Sequence, residues 1–279
     1  MQRTLLTRLC AGLFACLLTQ TAWADLLINP TRVMLGANDR STEVTLINIS
    51  KQTNTYRIGW LEKKASEQGG YIDLTPAQAA SAPIASTMIR FSPRQVTLKP
   101  GERQTVKLAV TRKQGLAKGE YRSHLQFRAI PPEKKAENEG GGQNMAITMM
   151  LSFAIPVVVV QGDVDYNLSF QNAQIHFNPA RNSGSVKVQM TRSGTNSVIG
   201  NISAFWTPAG SNKEVLIAKA GDYNFWPELN RINAELIWAG TAFAKTDGKL
   251  RIVYEGVKEF RGKVFFDKTI NVSGSAIKM

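Results

Sequence analysis

The chain has 279 residues, and its 34 Lys and Arg residues outnumber its 21 Asp and Glu residues, so the formal net charge is +13 at pH 7. Its two cysteines, Cys10 and Cys16, lie near the N-terminus, which leaves the rest of the chain without disulfides, zinc–cysteine sites or a cysteine nucleophile. The basic residues are scattered, with no run longer than two. This pattern favours a solvated basic surface and disfavours binding of nucleic acid.

The first 24 residues are typical of a secretory signal. Arg3 and Arg8 form a basic start, an apolar run covers 9–18, and small residues at 22–24 suit a cleavage site. The apolar run is too short to span a bilayer, although a retained membrane anchor is the alternative. We therefore expect cleavage before Asp25 and an exported protein without membrane insertion.

Short segments of alternating apolar and polar residues follow, divided by Gly, Asn, Pro and Ser, and this is an all-β pattern. The predicted strands of this half are 26–35, 41–48, 54–63, 88–92, 95–98, 103–111, 119–130 and 145–160. Their number and length are typical of an immunoglobulin-like β-sandwich. A short helical turn is predicted over 76–83.

The last of these strands, MAITMMLSFAIPVVVV, is unusually apolar. It follows a charged, Gly-rich segment at 131–144 that we expect to be a mobile loop. Its large residues Ile147, Met149, Leu151 and Phe153 alternate with smaller ones, which places one set on each face of a strand. The pattern alone favours an ordinary core strand buried on both faces. A strand that is lent to another protein is the alternative.

A break at QGDVD (161–165) indicates a domain boundary, and a second series of alternating segments follows it. The predicted strands of this half are 165–177, 185–192, 200–208, 214–220, 231–237, 248–255 and 264–270. We therefore expect a signal at 1–24, an N-terminal domain at 25–160 and a C-terminal β-sandwich domain at 165–279.

No catalytic or metal-binding constellation stands out. His124 and His176 lie in different predicted domains, and no His/Asp/Glu cluster is visible. Ser123 and His124 are adjacent in a strand, so their side chains point in opposite directions and cannot form a nucleophile–base pair. The sequence therefore predicts a protein that is not an enzyme and that needs no cofactor or metal.

Four stretches together resemble the periplasmic pilus chaperones of chaperone–usher secretion. They are LLINPTRV (26–33), YRIGW (56–60), FSP with LKPGERQTV (91–106) and YRSHLQFRAIPP (121–132). Their order and spacing hold over the whole predicted first domain. The second domain matches only through its β pattern and the segment LRIVYEG (250–256).

The resemblance implies two immunoglobulin-like β-sandwich domains at an angle, with a cleft between them that binds the subunit's C-terminus. It implies that Arg32 is the basic cleft residue and that Ile147, Met149, Leu151 and Phe153 complete the fold of a pilus subunit. It also implies delivery to an outer-membrane usher, and leaves open self-association through the same strand. The family's cleft lysine falls near Pro156, where this chain has no basic residue.

Two other functions remain as alternatives at this point. One is a structural or adhesive subunit of a surface fibre built on the same sandwich. The other is a periplasmic carbohydrate-binding protein that uses Trp206, Trp226 and Trp238, although core packing is the more common role of such residues.

Overall fold

The computed structural model describes residues 25–131, 151–240, 243 and 245–278. The strands of the first half are β1 (Leu26–Asn29), β2 (Val33–Leu35), β3 (Ser41–Asn48), β4 (Asn54–Leu61), β5 (Lys63–Ala65), β6 (Tyr71–Asp73), β7 (Ile89–Ser92), β8 (Gln95–Leu98), β9 (Arg103–Val110), β10 (Gly119–Ile130) and β11 (Ser152–Gln161). Those of the second half are β12 (Asn167–Asn178), β13 (Ser183–Ser193), β14 (Val198–Pro208), β15 (Val215–Phe225), β16 (Arg231–Trp238), β17 (Gly248–Gly256) and β18 (Val264–Val272). Helix α1 (Pro76–Ser81) and three short 3₁₀ turns, Ser86–Met88, Lys258–Phe260 and Gly274–Ala276, complete the described secondary structure.

The first half is a sandwich of two sheets. One sheet has the order β1-β3-β9-β7, and the other has the order β2-β11-β10-β4-β8. The chain passes from the first sheet to the second at Pro30, so the predicted strand 26–35 is divided into β1 and β2. Apolar residues on the inner faces of the two sheets form one buried cluster, with Tyr56, Leu108 and Phe127 among its largest members.

Local sequence explains several of the connections in this half. The turn between β8 and β9 places Pro100 second and Gly101 third, with φ of +74° at Gly101 and a hydrogen bond from Glu102 N to Lys99 O of 3.0 Å. These are the positions that a type II turn requires for Pro and Gly. Helix α1 begins with a capping box, in which Thr75 and Gln78 satisfy each other's backbone N–H groups. The predicted helical turn at 76–83 is confirmed.

The second half is one seven-stranded sheet, β12-β13-β16-β15-β14-β17-β18, folded over its own core. Strands β15 and β16 pair only at Ala218↔Trp238 and Lys219↔Ile237, so the sheet divides there into two facing layers. The prediction of an all-β protein with two immunoglobulin-like sandwiches is confirmed.

Strand β11 contributes to both buried clusters. Ile155, Val157 and Val159 belong to the first cluster, whereas Val158 and Val160 belong to the second. The alternation of side chains along a strand produces this division. The second half of β11 is therefore buried on both of its faces between the two sandwiches.

The hairpin of β5 and β6 was not predicted from the sequence. It pairs with no other strand in the described residues, and Ala65, beside its turn, packs into the second cluster. The hairpin thus belongs to the first half of the chain but lies against the second half.

Candidate functional site

The first half of β11 forms a free sheet edge. β11 pairs with β10 along its whole length, from Arg128↔Ser152 to Gly119↔Gln161. On its other side it pairs with β2 only at residues 157–159. Among the described residues, the stretch from Ser152 to Pro156 therefore has a strand on one side only. Such an edge presents unpaired backbone groups that can pair with another chain.

The side chains along this edge differ between its two faces. Phe153 lies opposite Phe127 and packs, half-buried, against the first cluster. A hydrogen bond of 3.1 Å from Ala129 N to Leu151 O extends the ladder by one residue, and Leu151 is 39% exposed. Ala154 is exposed on the opposite face. The large apolar residues Leu151 and Phe153 thus share the face of β11 that is directed to the first cluster, where that cluster meets solvent.

The structure tests only part of the predicted donor set. Ile147 and Met149 lie outside the described residues. Phe153 lies where the free edge begins, on the face of the strand that contacts the protein's own core, and alternation places the exposed Leu151 on the same face. Their role in subunit binding stays a prediction.

Arg32 is a second predicted site residue, and it is buried between the two sandwiches with 5% of its surface exposed. Its Nε donates to Glu259 Oε1 at 2.8 Å, and its two terminal nitrogens donate to Asn224 Oδ1 and Ser197 Oγ, each at 2.9 Å. The guanidinium is therefore already engaged by residues of the second half of the chain. Its role as a carboxylate anchor for a partner also stays a prediction.

Trp226 lies between two guanidinium groups at this junction. The Arg122 guanidinium carbon is 4.0 Å from the ring centroid, and that of Arg32 is 4.6 Å away. Trp226 Nε1 donates to Tyr71 Oη of the β5–β6 hairpin at 3.1 Å. Cation–π contacts gain strength when they are shielded from water, so this stack helps to join the two halves.

Two glutamates complete the junction, of which Glu120 is buried and Glu228 is partly exposed. Glu228 forms an ion pair with Arg122 and accepts from Ala65 N at 2.7 Å. Burial opposes the charged form of Glu228, but Arg122 and the backbone donor outweigh it, so its pKa is below the usual range. Glu120 accepts from Ser197 N at 2.7 Å, and burial raises the pKa of Glu120 despite the nearby Arg32.

The two neighbouring residues Ser123 and His124 point in opposite directions, as predicted. Ser123 Oγ accepts from the backbone N–H of Ala85 at 3.0 Å and donates to Glu62 Oε2 at 2.7 Å. The His124 ring packs edge-on against Tyr71 at 4.7 Å, and neither of its nitrogens has a hydrogen-bond partner in the described residues. Burial lowers the pKa of His124 to about 3, and Arg122 and Lys63 add to this effect.

The tryptophans do not form an open sugar-binding platform. Trp206 and Trp226 are 1% and 3% exposed, and Trp206 and Trp238 pack against Phe243 in the second cluster. The interpretation as a carbohydrate-binding site that uses all three residues is therefore wrong, because burial leaves no aromatic face of Trp206 or Trp226 free for a ring of sugar, while Trp238 is half-buried.

No group of three or more His, Cys, Asp and Glu side chains is placed to hold a metal ion in residues 25–131, 151–240, 243 and 245–278. Over the same ranges, no helix has the length and apolar composition needed to cross a bilayer.

The profile of the Fn3-like domain family matches residues 34–204. The match covers more than half of the chain, and the chain belongs to this family of Fn3-like domains. No curated protein sequence matches it.

Among solved structures, the chain is similar to several fimbrial chaperones. The YadV chaperone is 13% identical with a TM-score of 0.45, and the alignment covers 89% of this chain and 100% of that one. The CupB2 chaperone of Pseudomonas aeruginosa is 12% identical with a TM-score of 0.46, over 88% and 99% of the two chains. A chain of the Salmonella enterica complex between the SafA pilin and the SafB chaperone is 14% identical with a TM-score of 0.46, over 90% and 98%.

Proposed function

We propose that this protein is a periplasmic chaperone that binds and folds pilus subunits and delivers them to an outer-membrane usher. It acts by lending a strand rather than by catalysis. In this proposal residues 1–24 direct export, residues 25–160 form the domain that holds the subunit, and residues 165–279 form a second sandwich that supports it.

The free edge of β11 carries the proposal. From Ser152 to Pro156 this strand lacks a neighbour on one side within the described residues, whereas residues 157–159 are covered by β2. A subunit strand can add at this edge by backbone hydrogen bonds. The free edge adjoins the apolar segment that contains Ile147 and Met149, so the pairing can extend along the chain.

The half-buried Phe153 supports the same arrangement. When a strand adds to a sheet, its side chains lie beside those on the same face of its new neighbour. Apolar residues of the added strand would therefore pack beside Leu151 and Phe153, and extend the first cluster into the subunit. Complete burial of one such side chain contributes about 1.5–3 kcal/mol.

The role of Arg32 in this function requires an exchange of partners. Glu259 already holds the Arg32 guanidinium, so a subunit carboxylate must replace Glu259 to reach it. Lys258 adjoins Glu259 in sequence, and its Nζ donates to Thr31 Oγ1 at 3.2 Å, next to Arg32. The same Nζ is paired with Asp222 Oδ2 at 3.0 Å, so Lys258 too must exchange a partner. We propose that Lys258 supplies the second positive charge that the chain lacks near Pro156.

Copurification of a pilus subunit from periplasm tests the proposal with two variants of one strand. Leu151→Asn places a polar group on the core-side face of the free edge, whereas Ala154→Asn places the same group on the exposed outer face. We expect the first variant to retain at most a tenth of the subunit, since a buried amide without partners is costly. The second should retain it normally. Equal recovery with the two variants would contradict lending of this strand.

A further inference from the structure

A cavity of about 390 Å³ lies between the two halves of the chain, on the side of the β5–β6 hairpin. Its wall combines the hairpin, the segment after α1, the start of β10 and the turn that follows β15. The lining residues are Lys63, Lys64, Leu74, Ala82, Pro83, Ile84, Glu120, Arg122, Pro227 and Glu228. The volume is at the small end of the range for ligand pockets, which is roughly 300–1,000 Å³.

Half of this lining is apolar. Leu74, Ala82, Pro83 and Ile84 come from the first half of the chain, and Pro227 faces them from the second half. A pocket of this kind excludes water from an apolar ligand and gains free energy from the area that it covers. A ligand bound here would touch both halves at once.

Most of the charged groups in the wall already have partners. Arg122 is paired with Glu228, and Lys63 is paired with Asp73 just outside the cavity. Glu120 accepts through Oε2 from Ser197, its Oε1 has no hydrogen-bond partner in the described residues, and burial raises its pKa.

Lys64 differs from the other charged residues of the wall. It is exposed, and it forms no ion pair or side-chain hydrogen bond within the described residues. The cavity therefore offers an apolar interior with one uncommitted positive charge at its margin.

We propose that this cavity binds a small anionic amphiphile, with one carboxylate on a short apolar chain, such as a medium-chain fatty acid. The chain of the ligand lies against Leu74, Ile84 and Pro227, and the carboxylate meets Lys64. The site does not include β11, so it is independent of the proposed lending of that strand.

Calorimetric titration of the full-length mature protein with sodium decanoate tests the site. One molecule of decanoate should bind per chain. 1-Decanol, which lacks the charge, should bind roughly two- to fivefold more weakly, and the cationic decyltrimethylammonium should bind more weakly still. Lys64→Gln should weaken decanoate binding roughly two- to fivefold, the range of an exposed ion pair.

Two tryptophan variants on neighbouring positions locate the site. Ala82→Trp fills the cavity and should abolish decanoate binding, whereas Ala80→Trp, on exposed helix α1 outside the lining, should leave it unchanged. The melting curve of each variant shows whether it is folded. If Ala82→Trp does not fold, Lys64→Gln alone tests the site. Absence of decanoate binding, or binding that survives both Ala82→Trp and Lys64→Gln, would overturn the proposal. Binding of a Leu-Leu dipeptide in place of decanoate would also overturn it.

Discussion

Arg32 and Glu259 are 227 positions apart in the sequence, and the Nε of Arg32 lies 2.8 Å from Oε1 of Glu259. The pair joins the connection between β1 and β2 to the 3₁₀ turn between β17 and β18. The side chain of Arg32 is 2% exposed and that of Glu259 is 20% exposed. A charge pair with so little water around it depends on both partners, because loss of one leaves the other uncompensated.

Removal of Arg32 should therefore destabilise the protein. We expect Arg32→Ala to lower the free energy of unfolding by about 3 kcal/mol, since Glu259, Asn224 and Ser197 each lose a donor. Urea unfolding measures the change. Lys107→Ala is the matched control: the Lys107–Glu43 pair is exposed, with atoms 3.8 Å apart, and should contribute less than about 0.5 kcal/mol. Equal losses in the two variants would show that the buried pair does not join the halves.

His124 should make the stability depend on pH. Its pKa is about 3 in the folded protein, where burial, Arg122 and Lys63 oppose the charged form, and Glu228 and Asp73 favour it less strongly. The unfolded chain binds this proton near pH 6.5. The contribution of neutral His124 is therefore fully present above pH 6.5 and is lost as the pH falls toward 3, with about 2 kcal/mol lost at pH 5.

Replacement of His124 by Leu isolates this contribution. Between pH 7 and pH 5, wild type should lose about 2 kcal/mol more of its unfolding free energy than His124→Leu does. The comparison cancels the titration of Glu120, which is present in the two proteins. At pH 7 the variant should be at least as stable, because the two ring nitrogens have no hydrogen-bond partner to lose. Parallel pH profiles would contradict the assignment of a neutral, buried His124.

Two glycines in the first sandwich should respond oppositely to replacement by Ala. Gly101 has φ of +74° in its turn, so Gly101→Ala should cost about 1 kcal/mol although the space around it is open. Gly59 lies in β4 with ordinary strand geometry and nothing within 4 Å of an added Cβ. Gly59→Ala should leave the stability unchanged or raise it by up to about 1 kcal/mol. Thermal unfolding of the two variants distinguishes them, and a stable Gly101→Ala protein would contradict the type II turn.

The sequence predicted the strands well because their signals are local. Alternation of apolar residues indicates most of their extent, and the turn at Pro100-Gly101 has the type that these two residues favour. The hairpin of β5 and β6 was missed, since Lys63–Ala65 and Tyr71–Asp73 have three residues each and are too short to show alternation. Its packing against the second half is a tertiary effect that no local pattern encodes.

The junction was harder to predict for the same reason. The family resemblance indicated Arg32 as a site residue. Nothing in the sequence indicates that Glu259 and Trp226, which are distant along the chain, contact it. The alternation in β11 likewise indicated which residues share a face, and not which face. The structure places Phe153 on the side of the first cluster.

Hydrogen–deuterium exchange at residues 152–155, in the free protein and in a purified complex with a pilus subunit, tests the central claim most directly. A strand added at the β11 edge should slow exchange at the backbone amides of residues 152–155 that point away from β10. Pro156 has no backbone N–H and gives no signal. β18, an edge strand of the seven-stranded sheet, is the internal control and should exchange at the same rate in the two samples. Protection at 152–155 with no change in β18 is the result that we expect. A stable complex in which these amides exchange as fast as in the free protein would contradict the claim that the β11 edge receives the subunit.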